Sequence, residues 1–168
     1  MMTYLESVAK AVNNLMKYNK KCIYLGEDVR SGQRGISDGF LKKYGSERVV
    51  DTPISESAFS GYALGLAIAN YRPIVEFNFA GLIYVCLDQL FNQASKFKAM
   101  SGNKKNVPII YILPTGTKGG LAGHHSDNPY STLSHLGIQS FMPLYSAEVG
   151  KVFKYAYKKK EPIAIFLP

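Results

Sequence analysis

The sequence predicts an α/β domain, an open and mainly parallel sheet with helices on both faces, over residues 1–168 as a single unit. Three observations point there. Apolar runs of strand length alternate with longer runs of helical period along the chain. One strand-length run, "VPIIYILP", is almost wholly apolar, as a strand buried on both faces of a parallel sheet must be. No repeat or linker divides the chain, and 168 residues suit one domain.

The elements follow in order. "TYLESVAKAVNNLMKY" reads as a helix, with Thr3 and Glu6 in capping-box spacing and Leu5, Val8, Val12 and Leu15 on one face. "CIYLG" is a strand, and "GEDVRSGQRGISDG" after it is a polar, glycine-rich loop. "FLKKYG" is a short helix with a terminal glycine, and "RVVDTPI" is the next strand. From about Glu56 to Asn70 runs a helix apolar nearly all round, which predicts burial, with Gly61 and Gly65 permitting close approach. "RPIVEFNF" is a strand, "YVCLDQLFNQASKFKAM" a helix, and "VPIIYILP" a strand. The glycine-rich "TGTKGGLAGHHSDNPYS" is a loop. Then come strand "IQSFMP", helix "AEVGKVFKYAYKKK" with Ser146 as its cap, and strand "PIAIFLP".

Composition excludes several classes. With 46% hydrophobic and 19% charged residues the chain is of the soluble globular type. Neither a membrane-spanning run nor a signal peptide is visible, so the expected location is cytoplasmic. Cys22 and Cys86 lie inside apolar segments without metal-ligand spacing and read as reduced core thiols. The net charge of +8 is spread over helix ends and loops, where lysines complement helix dipoles. With no nucleic-acid motif beside it, that charge fits an anionic substrate or partner better than a polynucleotide.

Ligands of such sheets lie beyond the C-terminal ends of the strands. Three loops qualify: "GEDVRSGQRGISDG", "TPISES" and "TGTKGGLAGHHSD". Glu56, entering an apolar helix, has two readings. Either it is an acid favoured by the positive end of the helix dipole, the reading that spacing alone prefers, or it is an acid held in an apolar pocket for proton transfer. His124 and His125 are either surface residues or groups that glycines bring near a ligand. His135 reads as structural. No carboxylate–histidine constellation predicts a metal held by this chain. "GISDG" matches a nucleophile-elbow pattern but follows no strand, and no dinucleotide or phosphate loop is present.

The segments "YLGEDV", "FLKKYGSERVVDTPISESAFSGYALGLAIANYRPIVEF", "DQLFNQASKFKAMSG" and "GLAGHHSD" resemble the beta subunit of the 2-oxo-acid (pyruvate or branched-chain) dehydrogenase first component. More broadly the chain resembles the pyrimidine-binding domain of the transketolase superfamily. That resemblance implies the thiamine-diphosphate-binding fold and a thiamine-diphosphate-dependent oxidoreductase or transferase that acts at a C–C bond next to a carbonyl. It implies that Glu56 hydrogen-bonds the aminopyrimidine ring and promotes the tautomer that activates the thiazolium carbon. A carboxylate shielded from water suits that task, because its surroundings then govern its hydrogen bonding. His125 would handle protons or substrate polar groups, and Glu27 would be a proton-relay acid between two sites. Ile54, Asn78, Phe79 and Leu82 would wall the cofactor pocket.

The same resemblance places the diphosphate and its Mg2+ on an alpha-type partner subunit, in a heterotetramer or larger assembly. The implied substrate is a small anionic 2-oxo acid or sugar phosphate; neither nucleic acid nor membrane is implied. Leu82 stands where relatives carry Phe or Tyr against the ring, six residues before Asp88, and Ile112 stands where they carry an arginine. Lys159 falls near the helix end through which relatives hold potassium, so that ion is not expected. The sequence stops where beta subunits continue into a C-terminal domain, so the expectation is one pyrimidine-type domain without it. Closest resemblance favours the 2-oxo acid, and the missing domain favours the ketose phosphate. A second reading is a non-catalytic subunit that keeps the fold but binds cofactor weakly; Leu82 favours it and Glu56 opposes it.

Overall fold

The computed structural model describes residues 2–116 and 120–168. Residues 117–119 of the predicted glycine-rich loop lie outside the described residues. Six strands form one parallel sheet in the order β2-β1-β3-β4-β6-β5. They are β1 (Cys22–Gly26), β2 (Val49–Asp51), β3 (Arg72–Glu76), β4 (Ile110–Pro114), β5 (Gln139–Phe141) and β6 (Ile163–Leu167). Their side chains alternate between two apolar cores. Leu25, Val75, Phe77, Tyr111 and Phe166 pack on one face with helix α3 (Glu56–Ile68). Tyr24, Ile74, Ile112 and Ile165 pack on the other with α1 (Tyr4–Tyr18), Phe40 of the short α2 (Phe40–Tyr44) and α6 (Ser146–Lys158). Burial on both faces is why these strands read as continuous apolar runs.

The predicted capping box closes α1: Thr3 N–H donates to Glu6 at 2.7 Å, and Glu6 N–H donates to the Thr3 hydroxyl at 3.2 Å. At α6 the expectation changes. Ser146 is the first helical residue and Tyr145 occupies the cap position. Glu148 satisfies the end instead, accepting from the N–H groups of Leu144 at 2.9 Å and Tyr145 at 3.2 Å.

The predicted helix over 84–100 is replaced by three tighter and wider pieces: a 3-10 helix at Ala80–Cys86, a π-helix at Asp88–Ser95 and α4 at Lys96–Met100. The apolar period is right, but the backbone changes pitch, a departure that clusters at functional sites. A short α5 (Tyr130–His135) follows the histidine loop, unannounced by any apolar period. Helix α3 is less buried than its composition predicts. Phe59, Ala63, Leu64 and Ala67 face the core, whereas Tyr62 is half exposed and a Cβ at Gly65 would meet nothing within 4 Å. Gly61 lies against Gln89, whose Oε1 would be 3.1 Å from an added Cβ. Among the described residues no helix is long and apolar enough to cross a membrane.

Candidate functional site

Strand order reverses between β1 and β3, because β2 lies on one side of β1 and the later strands on the other. Such switch points open a crevice beyond the strand ends. Gly26 closes β1 so near β3 that a Cβ there would overlap the Glu76 carbonyl. That approach sets Glu27, the next residue, beside Asn78. The Asn78 amide donates to Glu27 Oε2, and Asn78 Oδ1 accepts from Arg34 Nε at 2.8 Å. The Arg34 guanidinium lies over the Phe79 ring at 4.4 Å from its centroid, and Phe79 meets the His125 ring edge-on at 4.5 Å. Four of the predicted residues, Glu27, Asn78, Phe79 and His125, are thus joined through one that the sequence did not single out, Arg34.

Glu56 is buried as the first residue of α3. Burial raises the Glu27 carboxyl above the usual range, the charge of Glu56 raises it further, and the Asn78 hydrogen bond opposes both. Glu56 also adds to the upward push that burial gives the Cys86 thiol, which reaches about 12. The two acids therefore feel each other, and Glu27 Oε1 has no hydrogen-bond partner among the described residues. Leu82 is half-buried and packs on the α3-side core, while Ile54 is 85% exposed. Ile54 thus walls nothing within this chain alone.

His124 and His125 are both exposed, and His125 lines a cavity of about 490 Å³ with Arg34, Asn78, Phe79 and Glu76. Their segment rests on Gly81, where an added Cβ would come within 3.1 Å of both the His124 carbonyl and the Asp127 Cβ. A small residue at 81 is what lets the histidine loop approach Phe79. His135 is exposed at the end of α5 and does not line this cavity. Cys22 and Cys86 are both buried and free. Burial pushes Cys22 up to about 11, so neither thiol supplies thiolate near neutral pH.

Sequence reasoning passed over Glu76. It is 4% exposed at the end of β3, accepts from the Tyr24 hydroxyl through Oε2, and leaves Oε1 without a partner among the described residues. Burial raises its carboxyl to about 7, while the Tyr24 hydrogen bond and the Arg34 charge pull it down. The signal was present, since an acid inside "RPIVEF" is out of place in a buried parallel strand.

A parallel sheet covered on both faces, with buried acids at its switch point, defines an α/β ligand-binding domain of the doubly wound class. More narrowly, the chain belongs to the family described as "Transketolase, pyrimidine binding domain", which matches residues 1–168. It is 34% identical over 167 residues to the mitochondrial pyruvate dehydrogenase E1 component subunit beta of Bos taurus, covering 98% of this chain and 46% of the relative. It is also 34% identical over 169 residues to the pyruvate dehydrogenase E1 component subunit beta of Rhizobium meliloti (strain 1021), covering 99% of this chain and 36% of the relative. The chain thus spans less than half the length of these relatives. A solved structure titled "Split gene transketolase, inactive beta4 tetramer" superposes with a TM-score of 0.77 at 20% identity, covering 99% of this chain and 50% of that one. That likeness shows the fold.

Proposed function

We propose that this chain is the pyrimidine-binding portion of a thiamine-diphosphate-dependent oxidoreductase or transferase acting at a C–C bond next to a carbonyl. The observation that carries this reading is Glu56, buried at the head of α3 beside a second buried acid at the switch point. The residues present fit the cofactor's ring. Glu56 would accept from or donate to a ring nitrogen, and Leu82, half-buried at the edge of the same core, would pack on the ring face. Bound there, thiamine diphosphate supplies a stabilised carbanion for breaking and making bonds at a carbonyl carbon.

The chain's own residues do the rest. Glu27, with one unpartnered oxygen and a carboxyl that burial and the charge of Glu56 raise, would be the relay acid near Glu56. Asn78 orients Glu27 and Arg34 together. His125, braced against Phe79, faces the cavity and would hold or move a proton on the substrate's oxygen.

The exposed Ile54, Tyr84 and Val85 flank the head of α3, where Ser57 donates to the Val85 carbonyl at 2.6 Å. This apolar rim supports a site completed by a second subunit, an alpha-type chain that holds the diphosphate and its Mg2+ within a heterotetramer or larger assembly. A cytoplasmic setting belongs to the same reading, with the substrate a small 2-oxo acid or sugar phosphate. Leu82 favours one alternative, a subunit that keeps the assembly but grips cofactor weakly, because an aliphatic side chain forgoes aromatic stacking.

Leu82→Phe separates the two. In the heteromer it is expected to tighten thiamine diphosphate by roughly 2- to 10-fold, the equivalent of ~0.5–1.5 kcal/mol of ring stacking. Calorimetric titration measures it. An unchanged or weaker affinity places Leu82 away from the ring.

A further inference from the structure

The cavity beside His125 carries two groups, Arg34 and Glu76, to which the thiamine reading gives no part in binding or proton transfer. Arg34 is held at two points: Nε donates to Asn78 at 2.8 Å and its plane covers Phe79, while its terminal nitrogens have no hydrogen-bond or ion-pair partner among the described residues. A guanidinium fixed this way presents a free fork matched to a planar carboxylate or a phosphoryl group. Glu76 lines the same cavity, almost wholly buried, with Oε2 taken by the Tyr24 hydroxyl and Oε1 unpartnered. At about 490 Å³ the cavity accommodates a small metabolite.

We propose that Arg34 and Glu76 make this cavity a charge-switched receptor for the oxyanion of a small metabolite, a carboxylate or a phosphoryl group, with Arg34 as the anchor and Glu76 as the switch. Protonated, Glu76 keeps Oε2 as the acceptor for Tyr24 and presents an O–H on Oε1, a neutral donor toward a bound anion. Ionised, it accepts only, repels the anion and competes for the Arg34 charge. Burial holds the changeover near neutrality, at about 7, so the switch operates in an accessible range. The other titratable or charged groups around Glu76 are Tyr24 of β1, Arg34 of the following loop, His125 of the histidine segment and Tyr4 of α1. Tyr4 donates to the Pro143 carbonyl at 2.7 Å, and burial pushes its hydroxyl up to about 12, so it keeps its proton throughout. Glu27, joined to Arg34 through Asn78, and His125, on the cavity wall, face the same groups among the described residues, so each needs its own control.

That the captured oxyanion belongs to the substrate rests on the thiamine reading; the receptor itself does not. The test is therefore run without cofactor, on the full protein with any subunit that co-purifies. Pyruvate, and separately sulfate as a stand-in for a phosphoryl group, are titrated calorimetrically at pH 6 and pH 8, between which neither probe changes charge. The wild type is expected to bind at pH 6 and to lose about tenfold or more in affinity by pH 8, the scale of one unit of coupled free energy. Arg34→Gln abolishes binding at both pH values. Glu76→Gln binds alike at both, and His125→Gln and Glu27→Gln each retain the wild-type loss. Tyr24→Phe, which removes a bond favouring the ionised acid, moves the loss to higher pH and serves if Glu76→Gln folds poorly. Preference for pyruvate assigns a carboxylate, and preference for sulfate assigns a phosphoryl group. Binding of neither probe at pH 6, wild-type binding by Arg34→Gln, or an undiminished pH response in Glu76→Gln overturns the proposal. A failure of the thiamine reading shows instead in the cofactor titration and leaves these outcomes intact.

Discussion

Glu56→Gln is expected to abolish turnover by the assembled enzyme, with a loss of at least 10²-fold, the lower range for removing a positioned proton-transfer group. Folding is expected to survive. Glutamine matches the shape of glutamate, and among the described residues the Glu56 side chain accepts no hydrogen bond that holds the N-terminus of α3, where Phe59 N–H reaches the Ser55 carbonyl at 3.0 Å through the backbone. The substitution also removes the charge that raises Glu27, so the Glu27 carboxyl moves back toward its ordinary range. Steady-state rates with purified partner subunit, alongside a thermal melt, measure both effects. Unchanged turnover would return Glu56 to the role that spacing alone prefers, an acid placed for the helix dipole.

The second large effect concerns stability. Burial lifts Glu76 from an ordinary carboxyl value of 4.5 to about 7, so the folded chain holds this proton more tightly than the unfolded one. Below 4.5 both states are protonated and the group costs nothing. As pH rises from there to about 7 the unfolded state ionises first, and stability falls; above 7 the loss is complete. At ~1.4 kcal/mol per unit the loss is of order 3 kcal/mol. Glu76→Gln cannot ionise, so its stability relative to wild type should improve between pH 5 and pH 8. Urea unfolding at several pH values measures the slope. Parallel curves for the two proteins would mean that Glu76 is no more reluctant to ionise in the folded chain than in the unfolded one.

Much of the architecture was legible because it rests on burial. Strands sandwiched between two layers need apolar residues on both faces, so "CIYLG", "VPIIYILP" and "IAIFLP" stand out, and all three form central strands. The Thr3 and Glu6 pair was legible because a capping box is set by local spacing. Ser146 misled for the complementary reason. A serine in cap position is common, but here the helix begins at Ser146 itself, and Glu148 reaches back to the N–H groups of Leu144 and Tyr145 on the entering chain. The break in pitch at Ala80–Ser95 left no mark in the apolar period, since 3-10, α and π turns differ too little over one or two turns.

The candidate site divides the same way. Glu56 is conspicuous as a lone charge at the head of an apolar helix. Glu27, Asn78, Phe79 and His125 emerged from the family resemblance, and the structure brings them together through contacts of rings and amides that span distant loops. Arg34 was invisible, one arginine in a polar loop, until Asn78 and Phe79 fixed its orientation. Ile54 shows the limit of a single chain: its 85% exposure has no structural purpose here, and the proposed partner supplies one.

Thiamine diphosphate titrated into this chain alone, and then with an alpha-type partner present, addresses the half-site most directly. Weak or absent binding by the chain alone, with affinity appearing when the partner is added and falling again in Glu56→Gln, is the predicted result. Tight binding by the isolated chain, or no gain on adding the partner, would contradict a pyrimidine site completed by a second subunit.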